Sequence, residues 1–344
     1  MEKVKWGILG AGNIAHAFAK ALPLSESGVL AGVGSRSLKK AEAFLEEYGV
    51  GEAFGSYEEL LSNSSIDAVY ICTPHPMHME WTIKAAEAGK HVLCEKPMAV
   101  NAQDAEKMIN VAQDAGVFLM EAFMYRSSEQ VAKVCELIKE KAIGEVRLIK
   151  GSFGFKGAYD LEGRLLNRDL AGGGILDVGC YPVSMARLLA GVAQGRPFSD
   201  PVELQGMAYI GKDSQCDEWA VASLDFGDGV MAQCSTGVQL DLDNIVQVFG
   251  SEGSIDILSP WFCGGREGGT SEILLKKRNE TENIQVENTP LYSAEIDAMA
   301  KGISGGRAPW PAMSLEDSLG NMKALDCWRR EIGLSFPQDK TSAL

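Results

Sequence analysis

The stretch Val4-Lys5-Trp6-Gly7-Ile8-Leu9-Gly10-Ala11-Gly12-Asn13-Ile14-Ala15 decides the fold. Val4 to Leu9 is a compact apolar run of strand length. After the glycines, Ala17, Phe18, Ala21 and Leu22 repeat at helical spacing. Strand, tight turn and helix form the setting in which G-x-G-x-x-G/A acts as a dinucleotide fingerprint. Gly10 permits the turn, Gly12 lets the backbone approach a pyrophosphate, and small Ala15 lets the helix sit close on the strand. Asn13 and Ile14 open that helix, whose free N–H groups and dipole favour phosphate. The alternative is a glycine turn with no ligand.

A second strand, Val29 to Gly34, ends at Ser35-Arg36, where a fingerprint of this kind places the residue that reads the ribose. An NAD site needs an acid there. Arg36 instead, with Ser35 and Lys40 close by, offers donors to a 2′-phosphate, so NADP(H) is expected. Otherwise Arg36 and Lys40 merely open a solvated helix.

The pattern repeats. Helical stretches at Lys39 to Tyr48, Tyr57 to Leu61, Met77 to Ala88 and Ala102 to Ala115 alternate with apolar strands at Ala68 to Cys72, His91 to Cys94 and Val117 to Met120. Continuous apolar strands between helices imply a parallel sheet covered on both faces. Ligands of such sheets bind beyond the carboxyl ends of the strands. Two strand ends there carry unusual residues. Thr73-Pro74-His75-Pro76-Met77-His78 looks like a crevice wall, with His75 and His78 either touching cofactor or substrate or serving as satisfied structural residues. Glu95-Lys96-Pro97 puts two charges at the end of an apolar strand, and a cis Lys96-Pro97 bond would turn the lysine into the crevice. A surface ion pair is the other reading of Glu95 and Lys96.

The first domain is expected to be residues 1–122 and the second 123–344. In the second, strand-like runs follow one another at Glu145 to Phe155, Val202 to Ile210, Glu218 to Phe226, Gly229 to Thr236, Asn244 to Gly250, Gly253 to Leu258 and Glu272 to Lys276. Their succession without helices predicts a large, mostly antiparallel open sheet with one face available to a partner subunit. Helices are expected at Gly174 to Leu189, Ser293 to Ile303 and Leu315 to Arg330. The fold class is therefore α/β, a doubly wound Rossmann sheet followed by an α+β domain.

Gly172-Gly173-Gly174-Ile175-Leu176-Asp177-Val178-Gly179-Cys180-Tyr181 removes three side chains where something must come close. Asp177 and Tyr181 share a face if the segment is helical. A plainer reading makes Asp177 a cap and Tyr181 a core residue. Oxidising a carbinol sends a hydride to a nicotinamide and a proton to a base. A tyrosine of ordinary pKa is a poor base, and a neighbouring ammonium such as Lys96 would lower it.

Composition narrows the partners. The chain has 344 residues, 46% hydrophobic and 23% charged, and a net charge of −15. That balance argues against nucleic acid or an anionic membrane as partner. No window approaches eighteen uninterrupted apolar residues, and no secretory leader is evident. The eight cysteines include no C-x-x-C pair, and no histidines group at metal-ligand spacing. A reduced cytoplasmic protein without a metal is expected.

With Gly10 to Ala15, Thr73-Pro74-His75, Glu95-Lys96-Pro97, Glu121-Ala122 with Arg126, and Gly172 to Tyr181 in order, the chain resembles the glucose-fructose oxidoreductase, inositol dehydrogenase and rhizopine-catabolism (Gfo/Idh/MocA) family over both domains. Within it, the resemblance is strongest to the dimeric dihydrodiol dehydrogenase branch, also described as NADP-dependent D-xylose dehydrogenase. Ser35-Arg36, Gly55 to Leu60, Leu119 to Ala122 and the tail Phe336 to Lys340 carry it. The resemblance implies catalysis by Lys96 with Tyr181 as acid/base, Arg36 and Lys40 at the 2′-phosphate, Asp177 lining the substrate pocket, and Arg126 near the nicotinamide end. Thr73, Pro74, His75, His78 and Glu95 join the cofactor site. The dihydrodiol enzymes carry a bulky aromatic at the place of Met124 or its neighbour, so Met124 is expected at the substrate; here the order is Phe123-Met124-Tyr125. The loop Ser259 to Gly265 also departs from them.

The expected activity is an NADP(H)-dependent oxidoreductase acting on CH–OH or C=O of a sugar, polyol or cyclic trans-diol, as a homodimer or homotetramer through the second sheet. Two alternatives stay open. One is a catalytically silent NADP-binding regulator; the other is a reductase of an imine or tetrapyrrole on the same fold.

Overall fold

The computed structural model describes residues 2–341; Met1 and residues 342–344, the outer ends of the two expected domains, lie outside the described residues. The first half alternates strand and helix: β1 (Val4–Leu9), α1 (Asn13–Ala21), β2 (Gly28–Gly34), α2 (Leu38–Glu46), β3 (Glu52–Phe54), α3 (Tyr57–Ser62), β4 (Ala68–Ile71), α4 (His78–Glu87), β5 (His91–Glu95), α5 (Ala102–Asp114) and β6 (Leu119–Ala122). The six strands lie in the order β3-β2-β1-β4-β5-β6, all parallel. The order reverses between β1 and β4, so a crevice opens beyond their carboxyl ends. Every residue of β4 is buried, as a strand covered by helices on both faces requires.

The second half contains α6 (Glu129–Lys139), β7 (Val146–Gly154), a π-turn at Ile175–Gly179 running into α7 (Cys180–Ala193), then β8 (Glu203–Ile210), β9 (Asp217–Asp225), β10 (Met231–Gly237), β11 (Val246–Gly250), β12 (Ser254–Ile257), β13 (Gly269–Lys277), β14 (Glu280–Asn288), α8 (Leu291–Gly305) and α9 (Leu315–Glu331). Eight strands form one sheet, β14-β13-β12-β11-β7-β10-β9-β8. Its pairs are antiparallel except β7 with β10. The sequence pattern missed β14, whose Glu280, Glu282, Asn283 and Gln285 lack strand character; as an edge strand it needs no second apolar face. It also missed α6, although Ser128 caps it by accepting the Val131 N–H at 3.2 Å, and Val131, Val134, Cys135 and Ile138 fall on one buried face.

One helical run among the described residues, Arg168–Ala193, is long and apolar enough to cross a membrane, and all of its apolar window is buried inside the protein. It is the core helix beneath the second sheet, packed against β7 and β10. The other face of that sheet is open along β8 and β9. Met207 and Val221 pair across the strands, 75% and 50% exposed, and Tyr209 stacks on Trp219 at 4.2 Å.

After the second sheet is complete the chain returns to the first. Helix α8 packs on α1, and a Cβ on Gly28 of β2 would stand 2.8 Å from Ile296 Cγ2. Asp297 accepts hydrogen bonds from the Ser25 hydroxyl at 2.6 Å and the Ser27 N–H at 3.1 Å.

Candidate active site

The crevice beyond β1, β4 and β5 is a cleft of about 480 Å³ between the two sheets. Gly12, Asn13 and Ile14 form one end. Gly10 has φ +115°, a turn that favours glycine, and a Cβ there would press on Cys72 Sγ at 3.3 Å. A Cβ on Gly12 would meet nothing within 4 Å, so that glycine faces open space. Helix α1 has no acidic residue in its first turn and no side chain capping it, which leaves its N–H groups to a ligand. Ala15 is fully buried against the sheet, as close helix packing requires. At the end of β2, Ser35 is buried while Arg36 and Lys40 are exposed, with no ion pair to any described residue.

The wall after β4 comes next. Thr73 Oγ1 and His75 Nδ1 are buried polar atoms without a hydrogen-bond partner among the described residues, and both residues line the cleft beside Pro74. Burial, then the neighbouring His78 ring, push His75 down to about 3, so it is neutral at pH 7. His78 also borders the cleft but is wholly buried, with Nδ1 at 3.0 Å from the Pro97 carbonyl and Nε2 at 2.9 Å from that of Thr73. It ties the two loops together, which is the structural alternative for this histidine.

Glu95 and Lys96 part company, contrary to the ion-pair reading. Buried Glu95 accepts hydrogen bonds from the Tyr70 hydroxyl and from the Lys96 N–H, the latter at 3.2 Å; burial raises its carboxyl and the Lys96 charge partly opposes that. The Lys96-Pro97 peptide is cis. The Lys96 ammonium crosses to the other lobe, donating to the Asp177 carbonyl at 2.8 Å and standing 3.8 Å from the Asp177 carboxylate.

Asp177 lies on the π-turn, 3% exposed. Burial alone would raise its carboxyl, but Lys96 and then Arg164 outweigh it and hold it below the ordinary range. Arg164 donates to Asp177 Oδ1 at 2.5 Å.

The glycine run makes this contact possible. A Cβ on Gly172 would lie 2.8 Å from the Leu165 carbonyl and 2.9 Å from that of Arg164, while Gly173, at φ +117°, sits against the Asp217 carboxylate. Asp217 in turn accepts the Ile175 N–H at 2.6 Å and caps the helical run.

Tyr181 follows at the start of α7, 4% exposed and behind the cleft wall rather than bordering it, with Lys96 Nζ 5.2 Å from its ring centroid. Its hydroxyl has one partner, Met124 Sδ at 3.9 Å. The expected lowering by Lys96 is overturned: burial first, then Glu95 and Tyr292, push the phenol well above its ordinary value. Met124, 6% exposed, is the neighbour of Tyr181 and does not itself border the cleft.

Arg126 is placed differently from expectation. Its guanidinium is 1% exposed and donates to Asp317 Oδ2 at 2.6 Å, the Pro311 carbonyl at 2.8 Å and Ser184 Oγ at 2.9 Å. Arg187 shares Asp317 at 2.5 Å. This is a core ion network that locks the start of α9, and Arg126 does not border the cleft. Two arginines that the sequence did not single out do: Arg164 and Arg266, on the loops after β7 and β12. Only the glycine run hinted at the first. Among the described residues no three metal-ligating side chains gather.

Residues 4–123 match the oxidoreductase family with NAD-binding Rossmann fold, and residues 131–256 match the GFO/IDH/MocA C-terminal domain. The chain belongs to the Gfo/Idh/MocA oxidoreductases. Among curated proteins it is 32% identical to trans-1,2-dihydrobenzene-1,2-diol dehydrogenase of Mus musculus, covering 98% of this chain and 99% of that one. It is 31% identical to an NADP(+) D-xylose 1-dehydrogenase of Haloferax volcanii, covering 93% and 95%. Among solved structures it resembles a 3-ketoreductase from Actinomadura kijaniata in complex with TDP-benzene and NADP, with a TM-score of 0.84 and 27% identity over 96% of this chain and 98% of that one.

Proposed function

We propose that the protein is an NADP(H)-dependent oxidoreductase that moves a hydride between the nicotinamide and a CH–OH or C=O carbon of a sugar, polyol or cyclic diol. One observation carries this reading. Lys96 from the edge of the first sheet meets Asp177 and Tyr181 of the second lobe beside a cleft whose far end is the Gly12 to Ile14 turn. The relatives named as a diol dehydrogenase and as an NADP(+) D-xylose dehydrogenase support it.

The residues present fit the dinucleotide. Open space at Gly12, free N–H groups on α1, unpaired Arg36 and Lys40, and the orphaned Thr73 Oγ1 and His75 Nδ1 are donors or room that the protein itself leaves unused. When bound, the nicotinamide supplies or accepts the hydride. The side chains do the rest. Lys96, 15% exposed, donates to the substrate oxygen while Asp177 fixes its position. Tyr181 holds its proton at neutral pH, which suits giving it to the oxygen of a carbonyl undergoing reduction. Asp177, anchored by Arg164, stays ionised and borders the substrate.

The open face of the second sheet, with Met207, Val221, Tyr209 and Trp219 exposed, is the surface through which we expect two copies to pair. The eight unpaired cysteines fit a reducing compartment such as the cytoplasm. The decisive experiment follows NADPH absorbance with purified protein and a panel of aldoses, polyols, trans-diols and their keto forms in both directions. Turnover of at least one class supports the reading. Tight NADPH binding with no turnover anywhere would favour the silent regulator.

A further inference from the structure

Arg164 and Arg266 both reach the cleft, and neither is needed where the cofactor's phosphates are provided for. The 2′-phosphate has Arg36 and Lys40, and the pyrophosphate has the α1 N-terminus. Lys96 and Asp177 offset each other's charge, and His75 is neutral. Glu95 lines the cleft as well, so Lys96, Arg164 and Arg266 face two carboxylates, Glu95 and Asp177, and the cleft keeps one positive charge in excess, in a chain whose net charge is −15.

Arg164 spends one N–H on Asp177, and its side chain is 58% exposed. Arg266 is exposed and has no hydrogen bond or ion pair with any described residue. The position of Arg164 is built: the missing Cβ of Gly172 seats the Arg164 and Leu165 carbonyls, and the Gly173 N–H donates to the Leu165 carbonyl at 2.9 Å. A guanidinium remains charged at every working pH and matches a carboxylate or phosphate through paired donors. Neutral hydroxyl groups require no such charge.

We infer that the substrate carries an oxyanion, a carboxylate or a phosphate, on a carbon away from the reacting one, and that Arg164 and Arg266 clamp it. The inference rests on the oxidoreductase reading of this cleft and narrows its substrate class to acidic sugars and sugar phosphates. Arg266 is the specificity residue; Arg164 serves both the oxyanion and Asp177.

The test compares matched trios in the gluco and galacto configurations: the aldose, its uronate and its 6-phosphate, each with NADP+. We expect kcat/KM for one of the two anions to exceed that of the neutral aldose at least tenfold; which one distinguishes carboxylate from phosphate. Arg266→Gln should reduce that ratio at least tenfold while shifting the Kd of NADP+ less than threefold. Where no member is turned over, calorimetric titration of the NADP+-loaded protein with the same compounds decides. Saturable binding of an anion that weakens tenfold in Arg266→Gln sustains the clamp. Equal or better handling of the neutral sugar overturns it, as does binding of no anion. Loss of NADP+ affinity in Arg266→Gln as large as the loss of anion also overturns it, because that arginine then belongs to the cofactor. Anion binding without turnover of any compound would count against the oxidoreductase reading and leave the clamp standing.

Discussion

The Lys96 ammonium lies over the face of the Tyr181 ring, 5.2 Å from its centroid, and makes no hydrogen bond with the phenol, whose partner is Met124 Sδ. The ring therefore helps to position the lysine, and the hydroxyl is a separate element. Tyr181→Phe keeps the ring and removes only the proton. It should lower kcat by roughly 10²- to 10⁴-fold, the usual worth of a positioned acid or base. Lys96→Met should do the same, and both should leave the Kd of NADPH within about tenfold, roughly 1.4 kcal/mol. Near wild-type turnover in Tyr181→Phe would assign the proton to Lys96 alone.

Arg36 is exposed and has no hydrogen bond or ion pair with any described residue, so its removal strands no buried group among them. Arg36→Ala should weaken NADP(H) by about 1.5–3 kcal/mol, the worth of a charge-assisted hydrogen bond, and NAD(H) hardly at all. Fluorescence titration with both cofactors measures this. Equal loss for the two would remove Arg36 from the 2′-phosphate.

Arg126 and Asp317 are both buried and paired, and Arg126→Ala leaves Asp317 with Arg187 as its remaining cation. A loss of about 1.5–3 kcal/mol of stability, the worth of a hydrogen bond to a charged group, is expected in urea unfolding. At a temperature where the variant remains folded, its affinity for NADPH should match the wild type. A variant of normal stability with impaired cofactor binding would return Arg126 to the cofactor site.

Burial, the largest influence on each, lifts Glu121 and Asp217 to about 7. An acid whose folded pKa is raised stabilises below its unfolded pKa and loses that contribution as pH rises through the folded one. His75, held near 3 by burial, works in the opposite sense up to its unfolded pKa of about 6.5. Above that, His75 no longer opposes the acids. Stability should therefore fall by roughly 1 kcal/mol per acid between about pH 6.5 and 8.5. Urea midpoints that rise over this interval would contradict the placement of both carboxyls. Glu121→Gln should flatten the fall.

Met207 and Val221 face solvent directly opposite one another on β8 and β9. Met207→Glu together with Val221→Lys should lower the mass seen in sedimentation while leaving the fold intact, since neither side chain is buried. An unchanged mass would exclude this face as the contact between copies.

Much of this was legible because short-range chemistry dictates it. The Gly10 to Ala15 turn requires its glycines whatever surrounds it, and apolar runs such as Ala68 to Ile71 have no other use than a covered strand. Charged residues were harder to read. Glu95 and Lys96 are adjacent in sequence, yet one faces Tyr70 and the other reaches Asp177, because β5 ends at Glu95 and Lys96 stands on the turn beyond it. The fate of Arg126 depended on Asp317, nearly two hundred residues away, which no local pattern reports. Arg164 and Arg266 sit on loops without periodicity and became visible only when the lobes came together. The three glycines were correctly read as a close approach, and what approaches is the backbone carrying Arg164.

Helix α8 has a consequence for biosynthesis. It covers α1 and fills the space beside Gly28, and Asp297 closes the loop at Ser25 and Ser27. The nucleotide-binding half, although translated first, thus leaves the ribosome with a flank that residues 291–305 cover only later in synthesis.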